Sequence, residues 1–169
     1  MDRKALIEEK KKHLHFKNLM GSMRAITTIE IYEAGAEKEF YKKIMSSYYE
    51  LWRQNKLKPC SKLTCESKDN ELSDWILTQV GLSCKTEYIF INSGYGEVYA
   101  KIILNHLAES ILELWYHEAK SIALKGSLKG GFGKGFCLVD PLNKRVIEVA
   151  LASDDEYNYQ LWQWYYEKP

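Results

Sequence analysis

Five glycines interleaved with lysines, Lys125-Gly-Ser-Leu-Lys-Gly-Gly-Phe-Gly-Lys-Gly135, form the stretch of this chain best suited to hold an anion. Without a Cβ in the way, backbone amides can approach a phosphate closely. The pattern departs from both known solutions. A P-loop needs a glycine where Leu128 stands and a magnesium-binding hydroxyl where Gly135 stands. A dinucleotide loop needs a third glycine at Phe136 and a helix after it, where a strand is expected. A flexible inter-strand loop is the favoured reading. The alternative is a small-molecule or phosphate-ligand site or an enzyme built on residues 125–135, with Lys129, Lys134 and His117 as its polar groups.

The other chemistry-bearing residues fall short of a complete set. His117-Glu118 opens a zincin pattern, but Ser121 occupies the place of the second histidine. Glu113 and His117 stand one helical turn apart and could share a proton. Cys60 and Cys65 could offer two thiolates, whereas a structural zinc wants four ligands, and Cys84 and Cys137 are isolated. His13 and His15 sit among Lys10, Lys11 and Lys12, which reads as a solvated helix face or a weak nucleic-acid contact. No catalytic residue, metal or cofactor is therefore expected, and the chain is read as a non-enzyme.

Recognition is better represented. Asp154, Asp155 and Glu156 are consecutive acids at an expected turn, and mutual repulsion would favour a cationic partner. Tyr157, Tyr159, Trp162 and Trp164 follow within one strand length. Alternation puts Tyr157, Tyr159, Leu161, Gln163 and Tyr165 on one face and Asn158, Gln160, Trp162, Trp164 and Tyr166 on the other. These aromatics are either core or interface, and with the acids they make the candidate partner-binding set.

The elements that must position these residues follow from hydrophobic periodicity. Residues 2–17 read as a charged helix with Leu6, Ile7 and Leu14 on its apolar side. Met20-Gly21-Ser22-Met23 resembles a second start site, which would leave the preceding segment peripheral. A strand is expected over 26–32 from its β-branched content. A helix over 36–55 carries Phe40, Tyr41, Ile44, Met45, Tyr48, Leu51 and Trp52. Residues 56–70 form the longest connection, and a short helix with Leu72, Trp75, Ile76 and Val80 ends at Gly81. Then come a hairpin over 88–104 and a helix capped by Asn105, with a stripe of Leu107, Ile111, Leu114, Trp115 and Ala119, ending near Ser121. Strands are expected over 121–125, 136–140, 145–152 and 156–166. The fold class is α+β: an antiparallel sheet mainly from the C-terminal half, packed on one side by N-terminal and central helices.

At 169 residues, 46% hydrophobic, the chain suits one globular domain, with 56–70 as its possible internal connection. The net charge of +1 supplies no global field toward nucleic acid or membrane, so any charged partner must be met locally. The ends are opposite in sign: the first 24 residues hold seven basic and three acidic side chains, and residues 148–169 five acidic and one basic. No apolar run approaches membrane-spanning length, and the opening Met-Asp-Arg-Lys has no apolar leader core. A reduced, cytoplasmic setting without a membrane partner is expected.

Four segments carry a resemblance. Glu87-Tyr-Ile-Phe-Ile-Asn-Ser-Gly-Tyr-Gly-Glu97, Leu112-Glu-Leu-Trp115, Cys137-Leu-Val-Asp-Pro-Leu-Asn-Lys-Arg-Val-Ile147 and Asp154-Asp-Glu-Tyr-Asn-Tyr159 resemble small bacterial immunity proteins, which neutralise contact-dependent-inhibition and other polymorphic toxins. The likeness spans less than half of the chain and involves no catalytic signature. It implies binding without chemistry: occlusion of a protein toxin, such as a nuclease domain, by surface complementarity.

Overall fold

The computed structural model describes residues 3–32, 38–64, 69–91, 98–123, 135–151 and 158–167. Its elements are α1 (Arg3–Ser22), β1 (Ile26–Tyr32), α2 (Lys38–Arg53), β2 (Ser61–Thr64), α3 (Asp69–Gln79), β3 (Glu87–Ile91), β4 (Tyr99–Leu104), α4 (Leu107–Ala123), β5 (Gly135–Asp140), β6 (Arg145–Leu151) and β7 (Asn158–Tyr165). The seven strands form one antiparallel sheet in the order β1-β4-β3-β5-β6-β7-β2. The class is α+β, with helices N-terminal and central and most strands in the C-terminal half.

The sheet is covered on both faces, not one. Successive side chains of a strand point to opposite faces, so a strand apolar at every position must be packed from both sides. Residues Gly135–Asp140 of β5 are all buried, as are Val146–Ala150 of β6. On one face Phe90, Ile102, Leu138, Ile147 and Leu161 meet Phe16 and Met20 of α1, Leu72 and Ile76 of α3, and Ile111, Leu114 and Trp115 of α4. On the other, Ile89, Ile91, Cys137, Val139, Val146 and Trp164 meet α2 through Phe40, Tyr41, Ile44, Met45, Tyr48 and Leu51. The helix bearing Tyr48 thus lies across the sheet from those bearing Trp75 and Trp115.

Several expectations change. Leu6, Ile7 and Leu14 are exposed, and the packed side of α1 is Phe16 and Met20. The segment before Ile26 is stitched into the fold. Met23 is buried, and the Glu113 carboxylate accepts the Arg24 amide at 2.9 Å and the Ala25 amide at 2.9 Å. Ser110 Oγ donates to the Ala25 carbonyl at 2.7 Å. Trp52 ends the α2 stripe but is 67% exposed. The 56–70 connection contains β2, the short edge strand paired with β7, so the chain on both sides of it joins the same sheet. Residues 121–123 continue α4 where a strand was expected, since the pairing that would define that strand does not form there. The β5–β6 turn is held by side chains: the Asp140 carboxylate accepts the Asn143 amide at 3.1 Å, Asn143 Nδ2 at 2.7 Å and Arg145 Nη2 at 3.3 Å.

Candidate binding groove

Beside α2, the sheet face is left partly uncovered toward the β1 edge, and an open groove of about 1000 Å³ lies there. Its floor comes from Tyr32 of β1, Lys101 of β4, and Glu87 and Ile89 of β3. Antiparallel register explains the grouping: Lys101 lies opposite Ile89 on one side and Glu30 on the other. The α2 wall presents Glu39, Lys42, Lys43, Ser46, Ser47 and Glu50, which helical spacing places on the side of α2 turned from its apolar stripe. Phe40, Pro141, Lys144, Tyr166 and Glu167 complete the lining.

Four lysines and four glutamates line this groove, and most are paired with each other. Lys42 meets Glu39 at 2.8 Å, Lys101 meets Glu87 at 3.5 Å, and Lys43 pairs with Glu167. Lys42 holds the Glu39 carboxyl below its ordinary value. Tyr32 first, and then Glu87, hold the Lys101 ammonium above its own. Glu50 accepts from Gln54 Nε2 at 3.1 Å. Lys144 has no carboxylate partner among the described residues, and it is fixed at a positive φ of 55° with its carbonyl accepting the Tyr166 amide at 3.0 Å. No His, Cys or Asp is among the lining residues, and no group of metal-ligating side chains occurs among the described residues. Such exposed ion pairs contribute about 0–1 kcal/mol each, so a partner can exchange them at little cost.

The residues singled out in the sequence are not gathered into this groove. Asp154, Asp155, Glu156 and Tyr157 lie outside the described residues, as do Cys65 and residues 125–134. Tyr159 is 4% exposed, its ring 5.2 Å from that of Trp115. Trp164 is 4% exposed on the opposite face, its ring 5.7 Å from that of Tyr48. Trp162 is half-buried against the α2 cluster. The alternation along β7 holds, but both faces are consumed by packing, so Tyr159 and Trp164 are core residues. Glu113 accepts the amides of Arg24 and Ala25, and its expected pairing with His117 involves a side chain outside the described set. Gly135 has a structural reason: its φ is 155°, and a Cβ there would stand 1.7 Å from the Val149 carbonyl oxygen.

One carboxyl group lies beneath α2. Glu148 is 6% exposed, between Cys137 and Trp162 in register, and burial pushes its carboxyl up to about 8. It is a neutral acid at pH 7. No helix among the described residues is long and apolar enough to cross a membrane. Periodicity found every element of the groove, but not the groove, because its charges come from positions 32 to 167 and each alone reads as an ordinary surface residue. A scan against protein-family models finds no match, and searches of curated proteins and of solved structures find none.

Proposed function

We propose that this chain is a cytoplasmic, non-enzymatic immunity protein that binds and occludes a protein toxin. The observation that carries the reading is the groove itself: a large concavity lined by charges held in ion pairs that a partner can exchange. Lys144 offers a partner carboxylate a cation with no acidic partner among the described residues, and Glu50 an anion that accepts from the neutral Gln54 amide. Between them, Tyr166 and Phe40 supply apolar contact. The resemblance of the four sequence segments to toxin-neutralising proteins points the same way. The acidic run Asp154–Glu156 with Tyr157 joins the proposal as a second contact, suited to a basic nuclease surface. Co-expression tests this directly. The product of the neighbouring reading frame should arrest growth when expressed alone, and this chain should restore growth and co-purify with it in equal amounts. Continued arrest with both proteins present and folded would overturn the reading.

A further inference from the structure

The near-neutral charge of the whole chain conceals a basic helix: α1 carries Arg3, Lys4, Lys10, Lys11, Lys12 and Lys17 against Glu8 and Glu9. Every residue of α1 from Arg3 to Lys12 is exposed, so more than two turns of it stand free of the body, while Phe16 and Met20 anchor its other end. At 100° per residue, Arg3, Leu6, Ile7, Lys10, Leu14 and Lys17 fall within one arc of about 100°. The acidic residues of this helix, Glu8 and Glu9, fall outside that arc. Phe16 and Met20 mark the packed side, more than about 90° from the arc's centre, so the arc faces away from the protein. Leu6, Ile7 and Leu14 are 38%, 45% and 58% exposed there, each beside a basic residue of the same arc.

We propose that this face of α1 rests on an anionic lipid surface, with the three aliphatic side chains entering the headgroup boundary and Arg3, Lys10 and Lys17 meeting lipid phosphates. Charge complementarity fixes the sign of the partner, and the aliphatic residues narrow its kind. A nucleic-acid backbone would satisfy the cations but offers nothing to Leu6, Ile7 and Leu14, whereas a lipid interface accepts both along a helix lying in its plane. The face is turned from the side of α1 that packs through Phe16 and Met20. It contributes nothing to the groove lining, so the inference stands apart from the toxin-binding reading.

Flotation of the full chain with vesicles tests it. The protein should float at low salt with vesicles of equal parts phosphatidylcholine and phosphatidylglycerol, and not with phosphatidylcholine alone. Leu6→Gln, Ile7→Gln and Leu14→Gln together keep helix-forming residues at exposed positions, so the thermal midpoint should hold while partitioning falls roughly tenfold or more. Lys10→Glu with Lys17→Glu should do the same. Absence of flotation overturns the proposal. So does flotation unchanged in the aliphatic triple variant, and so does capture by duplex DNA or an acidic protein without vesicle binding.

Discussion

Two single residues report how tightly the sheet is enclosed. Glu148 is buried as a neutral acid, with burial raising its carboxyl from 4.5 to about 8. A raised value in the folded state means that its contribution to stability is full below 4.5 and is lost as pH rises toward 8, because the unfolded chain releases the proton first. The slope in that window is about 1.4 kcal/mol per pH unit. Glu148→Gln should remove this slope, so that urea midpoints measured near pH 5 and near pH 7.5 converge relative to wild type. Gly135 supplies the second report. Its Cβ-free close approach to Val149 lets β5 and β6 pair, and Gly135→Ala should cost about 2 kcal/mol or more in the same measurement. Neither effect is visible in sequence: Glu148 reads as an ordinary strand charge, and Gly135 as one more glycine of a loop.

At the scale of elements, periodicity located most helices and strands because local apolar spacing determines them. β1 was legible to the residue over 26–32, and α2 within two residues at each end. β2 was not, since Ser61-Lys-Leu-Thr64 has no period of its own and is ordered by pairing with β7. α1 was legible as a helix but not in its orientation. Leu6, Ile7 and Leu14 are spaced like a core stripe, and only the tertiary structure shows that Phe16 and Met20 take that role. Two substitutions separate these assignments. Phe16→Ala should cost about 3–5 kcal/mol by leaving a cavity against Phe90, whose ring is 6.2 Å away. Leu14→Ala should stay within about 0.5 kcal/mol in chemical denaturation.

For the whole molecule, both faces of the sheet are occupied by helices, and this decides which of the sequence candidates can meet a partner. Tyr159 and Trp164 are spent on packing, whereas the charged groove beside α2 stays open to a partner. It was illegible in sequence because α2, β3, β4 and the β5–β6 turn each supply only a few of its charges. The most direct test of the binding account is the affinity of the proposed toxin partner, taken as the product of the neighbouring reading frame, for wild type, Glu50→Lys and Lys144→Glu by titration calorimetry. Both substitutions lie on the groove surface and should leave the thermal midpoint in place. The account predicts at least about tenfold weaker binding for each, with a reduced salt dependence for Lys144→Glu. Wild-type affinity in both folded variants would contradict it.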